Sequence, residues 1–314
     1  MHSAESLEEI GMEDMGKIIW KRKGRQNVLR TNEKEGVVWL TYPALEKTEG
    51  IVHGFSTRLG GVSEAHLSSM NLSFSRGDSE ENVRENYRRI AAAIGFAPED
   101  LVFSDQTHTT NVRVVTEADR GKGFTVPRDY KDVDGLITDV PGLVLATFYA
   151  DCVPLYFVDP VRRAIGLSHS GWRGTVGRIG RATVQAMQKA YGCRPENIYA
   201  AIGPSICQEC YEVSGDVIEA FRENFAEEFL NELYYKKENG KYQLNLWRAN
   251  EIILKEAGIL SEHLSVTDIC TCCNPDLLFS HRASHGMRGN LAAFLGIRQE
   301  SIFSQMSASL RAAD

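Results

Sequence analysis

Apolar positions recur at helical spacing in four stretches of the chain. Val83, Tyr87, Ile90 and Ile94 share one helix face; Asp78-x-x-Glu81 precedes them in the form of a capping box, and Gly95 follows as a stop. Val176, Ile179, Thr183, Met187 and Ala190 form a second stripe over residues 175–191, closed by Gly192. Val217, Ile218, Phe221 and Phe225 form a third behind Ser214 as cap, and residues 246–257 form a fourth, ended by Gly258. Short β-branched or apolar runs bounded by Gly, Pro or Asp predict strands at 51–56, 112–115, 136–138, 143–150, 155–158, 164–168 and 199–202. The four runs between 136 and 168 leave no room for helices, which excludes a regular βαβ repeat. The pattern predicts an α+β fold with a mixed sheet.

Ahead of Val37-Val38-Trp39-Leu40 the chain is charged and weakly periodic. Residues 1–35 therefore read as a loosely attached extension, and 36–314 as one catalytic domain without linker or repeat. A chain of 314 residues, 43% hydrophobic and 25% charged, can bury a core without staples. The formal net charge of -7 argues against a general nucleic-acid binder, which shows a basic excess, but leaves room for a small anionic substrate. No apolar run approaches the roughly 20 residues of a membrane span, and the acidic N-terminus has no signal-peptide core. A cytoplasmic protein that avoids membranes is expected. Seven cysteines, an odd number in such a chain, point to reduced thiols or metal ligands rather than a disulfide scaffold.

Candidate chemistry concentrates in YADCVPLYFVDPVRRAIGLSHSGWRG, residues 149–174. Cys152 is expected just past one strand and His169 just past another, so two strand ends on one rim would bring them together. Gln106-Thr107-His108 precedes a further strand and offers a second imidazole. Two imidazoles and a thiolate make a three-ligand zinc site with its fourth position open to water or substrate. The plainer alternative makes Cys152 a small buried hydrophobe and His169 a satisfied loop residue.

Six segments occur in order: HGFSTRLGGVS (53–63), QTHTTNV (106–112), DVDGLIT (132–138), ADCVPLYFVDP (150–160), LSHSGWRGT (167–175) and IGPSIC…CYEV (202–213). Together they resemble the YfiH family, laccase-domain proteins long labelled multicopper polyphenol oxidoreductases, over about residues 36 to 305. The resemblance implies two stacked mixed β-sheets flanked by helices, an αββα arrangement shared with bacterial toxins that deamidate proteins through a Cys–His pair. It implies a zinc-dependent enzyme acting on purine nucleosides with phosphate, by phosphorolysis of adenosine, inosine, guanosine or methylthioadenosine, or by deamination of adenosine. The family's metal ligands map onto His108, Cys152 and His169.

Other positions carry two readings each. Arg58, with Gly60 and Gly61 beside it, could hold phosphate or sit solvated on a turn. Trp172 could stack on a base or fill a core, and Arg173 would add positive charge near the pocket. Asn71 could orient a ribose or cap a turn, and His53 could face a pocket or finish a strand. Asp151 and Asp134 are candidate proton shuttles, although strand alternation turns Asp151 away from Cys152 unless the strand breaks there. Cys207-x-x-Cys210 and Cys270-Thr-Cys272-Cys273 could form a Cys₄ zinc site, which the family pattern does not carry, or remain buried thiols. His281 stands where the family segment reads tyrosine.

Three functions follow. A zinc-dependent nucleoside enzyme needs all three ligands. A Cys–His hydrolase would use Cys152 as nucleophile and His169 as base, leaving His108 idle. A copper phenol oxidase needs many histidines, and the eight present are scattered without H-x-H pairs.

Overall fold

The computed structural model describes residues 18–24 and 28–299. Its strands are β1 (Arg30–Lys34), β2 (Val37–Thr41), β3 (Ile51–Ser56), β4 (Leu101–Phe103), β5 (Val112–Val114), β6 (Gly135–Thr138), β7 (Val144–Tyr149), β8 (Val153–Asp159), β9 (Ala164–Ser170), β10 (Tyr199–Ile202), β11 (Glu212–Val213), β12 (Tyr234–Lys236), β13 (Tyr242–Leu244), β14 (Leu264–Val266) and β15 (Leu291–Ile297). The helices are α1 (Pro43–Glu46), α2 (Glu80–Ile94), α3 (Trp172–Val176), α4 (Ile179–Tyr191), α5 (Gly215–Asn224), α6 (Glu227–Leu233) and α7 (Leu246–Glu256).

Two six-stranded mixed sheets, ordered β1-β2-β3-β15-β7-β4 and β14-β10-β8-β9-β6-β5, lie face to face. Their shared interior holds Phe55, Leu145, Tyr149, Tyr156, Leu167 and Leu295, all buried. Helix α2 lays Val83, Tyr87 and Ile90 on the outer face of the first sheet, against Phe103 and Phe294. On the outer face of the second, α4, α5 and α7 pack Val184, Met187, Phe221 and Ile253 against Leu155 and Phe157. The order of layers is therefore helix, sheet, sheet, helix, as the resemblance implies. Among the described residues no helix is long and apolar enough to cross a membrane.

The predicted strands recur with small shifts, but several elements differ from expectation. The cap of α2 is Ser79, whose hydroxyl accepts from the Asn82 amide, while Asp78 instead accepts from Ser63, Asn71 and Asn82 side chains. Gly95 ends that helix with φ 95, a left-handed conformation that costs glycine nothing. The stretch 175–191 is two helices, α3 and α4, broken where Arg178 takes φ 62; Ala190 is exposed and Val184 takes its place in the core.

Order also begins earlier than Val37. Strand β1 pairs with β2, and Arg22 forms an ion pair with Asp268 at 2.8 Å while the Lys21 amide donates to Asn274. Polar RTNEK carries no apolar run, because as an edge strand it needs backbone partners more than burial. The rest of the expected extension, residues 1–17 and 25–27, lies outside the described residues.

Burial of the intersheet layer sets the expected response to truncation. Leu145→Ala removes a fully buried side chain from it and should cost about 2–5 kcal/mol in urea unfolding. Val114→Ala, at an edge position 46% exposed, should change stability by no more than about 0.5 kcal/mol. Equal effects at the two positions would contradict this layer as the principal core.

Candidate metal centre

Strands β8 and β9 are neighbours in one antiparallel hairpin, with Val153 opposite Ser170 and Pro154 opposite His169. Cys152 thus stands at the mouth of the hairpin, just before β8, and His169 lies inside the end of β9 rather than beyond it. One turn suffices to bring them together. The third residue arrives on the loop between β4 and β5. Gln106 anchors that loop to β7, accepting from the Phe148 amide at 2.6 Å and donating to the Phe148 carbonyl at 2.7 Å. His108 then adopts φ 67 and turns its ring back toward the hairpin.

One ligand atom from each of His108, Cys152 and His169 falls within 4.8 Å of the other two. Zinc bonds of about 2.0–2.3 Å put ligand atoms within about 4 Å of one another, so the three lie close enough for one ion to join them. His169 is buried, Cys152 half-buried and His108 exposed, so the group opens on one side only. Gly171 permits the approach: a Cβ there would meet His108 Cδ2 at 2.9 Å and Cys152 Sγ at 3.2 Å.

Asp134 organises this group from below. Its carboxylate is fully buried and accepts the backbone amides of Thr107, His108 and Thr109 at 3.1, 3.1 and 2.8 Å, together with the Thr109 hydroxyl at 3.0 Å. The same carboxylate lies 2.8 Å from His169 Nδ1. Burial opposes its charge, but the bonds from His169 and Thr109 prevail and hold its pKa below the ordinary value. Asp134 is therefore a positioning residue with every lone pair engaged, not the proton shuttle expected from sequence. Holding Nδ1 leaves Nε2 of His169 free to face Cys152.

The charges within the group reinforce one another. Burial works against a Cys152 thiolate, yet the His169 and His108 imidazoles bring the thiol down to about 6. Burial likewise works against protonated His169, yet Cys152 and Asp134 carry it up to about 9. A thiolate and two imidazoles, one oriented by a buried carboxylate, make a donor set suited to a borderline-soft divalent metal.

The remaining expectations divide. Asp151 has φ 92; its carboxylate accepts from the Thr271 hydroxyl at 2.6 Å and the Arg282 amide at 2.7 Å and does not line the cavity, which takes it out of reach of a substrate there. Arg58 donates to the carbonyls of Ser68 and Pro275 at 2.7 and 2.8 Å and stacks on Phe279, so it braces loops rather than phosphate. Buried Asn71 bridges Ser73, Asp78 and Asn290 as a turn residue. Trp172 packs against the outer helices, with exposed Arg173 across its ring, and neither lines the cavity. His53 accepts from the Tyr42 amide at 2.8 Å, and burial lowers its pKa to about 4, making it a structural imidazole.

The cavity at the metal group has a volume of about 840 Å³ and reaches Cys152, His108 and His169 at one end. It is locally basic, as expected, but through Arg76, Arg84, Arg128 and Arg288 instead of Arg58 and Arg173. Arg84 pairs with Glu80, and Arg128 with Asp105. Neither Arg76 nor Arg288 forms an ion pair among the described residues. Burial and then Arg76 bring the Arg288 pKa down to about 10, and its buried Nε has no partner. Phe74, Phe103, Phe124 and Phe148 supply an aromatic wall. These residues were missed because they sit in loops far apart in sequence, in no recognisable pattern.

A family model described as multi-copper polyphenol oxidoreductase laccase matches residues 52–298. The chain is 38% identical over 258 residues to purine nucleoside phosphorylase YlmD of Bacillus subtilis, covering 81% of this chain and 91% of that protein. It is 39% identical over 256 residues to purine nucleoside phosphorylase YlmD of Geobacillus stearothermophilus, covering 80% and 92%. The crystal structure of the hypothetical protein YfiH of Bacillus licheniformis superposes with a TM-score of 0.80 at 35% identity, over 87% of this chain and all (100%) of that one.

The geometry places the burden of orienting both histidines on Asp134. Asp134→Asn, which keeps the shape but halves the accepting capacity, should weaken zinc binding by about 10–100-fold in competition with a chromophoric chelator. Circular dichroism should show the fold retained. Unchanged affinity would remove Asp134 from the site.

Proposed function

The chain belongs to the multi-copper polyphenol oxidoreductase laccase family, and on that premise we propose that it is a zinc-dependent purine nucleoside phosphorylase. The observation that carries the proposal is the junction of the His108–Cys152–His169 group with an unpaired arginine couple in one cavity. His108, Cys152 and His169 would hold the zinc, and the donor set fits it. His169 is fixed through Nδ1, and the sulfur and imidazole nitrogens suit zinc's preferences. Bound there, zinc supplies a Lewis-acid charge that polarises a substrate oxygen.

The chain's own residues account for the rest. Arg76 and Arg288 both line the cavity, and their like charges repel each other until an anion lies between them. Inorganic phosphate is the anion this reading assigns. The phenylalanine wall takes the purine by stacking and places the ribose between base and phosphate. An oxygen of dihydrogen phosphate then attacks C1′, the bond from C1′ to the purine nitrogen breaks, and the departing nitrogen takes the electron pair and the proton that the phosphate gives up. The products are free base and ribose 1-phosphate.

Deamination of adenosine is the weaker reading. It needs an acid beside the leaving amine; Asp134 and Asp151 do not line the cavity, and Glu80 and Asp105, which do, are paired with arginines. A Cys–His hydrolase has one observation in its favour, the Cys152–His169–Asp134 succession, which matches nucleophile, base and orienting carboxylate. It gives no role to His108 or to the arginine couple.

Incubating the protein with adenosine, with and without phosphate, separates these readings. Adenine and ribose 1-phosphate are expected, and only when phosphate is present. Arg288→Ala should raise KM for phosphate about tenfold or more, the worth of one charge-assisted contact. Arg58→Ala should leave phosphate dependence unchanged. Inosine formed without phosphate would contradict the assignment in favour of deamination, and no nucleoside turnover at all would sink it.

A further inference from the structure

A second cluster of metal-ligating side chains lies behind the candidate centre. Strands β10 and β14 run parallel as neighbours, Ala200 beside Leu264 and Ile202 beside Val266. The loops that follow them therefore leave the same end of the sheet together. Their pairing continues in a parallel bridge between Ser205 and Cys270, with the Thr271 amide donating to the Ser205 carbonyl at 3.1 Å. Each loop carries one Cys-x-x-Cys turn, Cys207 with Cys210 and Cys270 with Cys273.

We propose that these four cysteines form a structural zinc site, separate from the His108–Cys152–His169 group. Their sulfurs all lie within 4.8 Å of one another. Cys273 Sγ is 4.0 Å from Cys207 Sγ and 3.5 Å from Cys210 Sγ. Four zinc–sulfur bonds of about 2.3 Å in a tetrahedron put the sulfurs about 3.8 Å apart. The backbone amide of Cys207 points at Cys270 Sγ at 3.2 Å, the kind of donor that stabilises a thiolate. Such a centre carries excess negative charge, and the Lys23 ammonium, 3.4 Å from Glu209, lies close enough to feel Cys207 and Cys273. Two of the thiols are buried and two half-buried, and the two sulfur–sulfur distances bracket the spacing that a single zinc ion imposes.

Tight spacing selects a single ion over an iron–sulfur cluster, whose several metal atoms hold their cysteines further apart. Four protein ligands also close the coordination sphere, which marks the site as structural. Its position says what it braces. The Ile206 amide donates to the Asp151 carbonyl at 3.0 Å, and the Thr271 hydroxyl to the Asp151 carboxylate at 2.6 Å. Both cysteine loops thereby hold the residue next to Cys152. Cys272 stands outside the group of four.

Metal analysis of the purified full-length protein tests the site. The wild type should carry about two zinc ions per chain and Cys152→Ala about one. X-ray absorption on Cys152→Ala should show that remaining zinc surrounded by four sulfurs at about 2.3 Å. Cys210→Ser with Cys273→Ser should lose it and melt at lower temperature, while Cys272→Ser should keep it. Should the double variant fail to fold, the absorption spectrum of Cys152→Ala still decides. A Cys152→Ala protein without metal, with iron in place of zinc, or with nitrogen and oxygen around the zinc would overturn the proposal. So would loss of the ion in Cys272→Ser.

Discussion

The carboxylate of Asp134 is the interaction on which the candidate centre depends. A buried ionised group costs several kcal/mol unless its lone pairs are filled. Here three consecutive amides, a hydroxyl and an imidazole fill them. Only an ionised carboxylate can accept from so many donors at once. The same bonds fix where Thr107–Thr109 can lie, and with them His108, while the contact to Nδ1 fixes the ring of His169. One buried charge thus sets two of the three ligands. Because folding lowers its pKa, Asp134 contributes stability above its unfolded pKa and loses it as pH falls through the folded value.

The sandwich supplies the other constraint. The β8–β9 hairpin brings Cys152 to His169, while β7, in the opposite sheet, carries the Phe148 backbone that Gln106 grips. The centre therefore spans the seam between the sheets, and the cavity opens where that seam meets the loops of Arg76 and Arg288. Close approach at the seam leaves space only for hydrogen at Gly171. On the far side of the Cys152 turn, Asp151 is held by the cysteine-bearing loops. The turn is clamped from both faces, which explains how Asp151 is kept at a φ that few residues adopt.

What was legible in the sequence follows from how local each feature is. Cys152 and His169 belong to one hairpin, and His108 sits in a short motif ahead of a strand, so their convergence could be reasoned from strand ends. The outer helices announced themselves by apolar periodicity. Strand β15 did not, although it lies mid-sheet between β3 and β7: LAAFLGI is apolar throughout, with one β-branched residue and no alternation, and such a run does not distinguish a buried strand from a helix. Arg58 was misread for a physical reason. An arginine beside two glycines has the composition of a phosphate loop, yet Gly60 and Gly61 are there because neighbouring backbone crowds them, and the guanidinium is spent on carbonyls. Arg76 and Arg288 meet only after folding, and no spacing rule joins them. The two Cys-x-x-Cys turns were visible as a pair of turns, but their alignment needed the parallel pairing of β10 and β14.

The central claim is that Cys152 is a metal ligand and not a free nucleophile. Alkylation of the metal-replete protein with iodoacetamide, before and after a chelator, addresses it most directly, with mass spectrometry locating the label. A thiolate bonded to zinc should resist the reagent and become reactive once the metal is stripped. Protection of Cys152 that is lost on chelation is the expected result. Rapid labelling of Cys152 without chelator would contradict the metal centre and promote the Cys–His hydrolase.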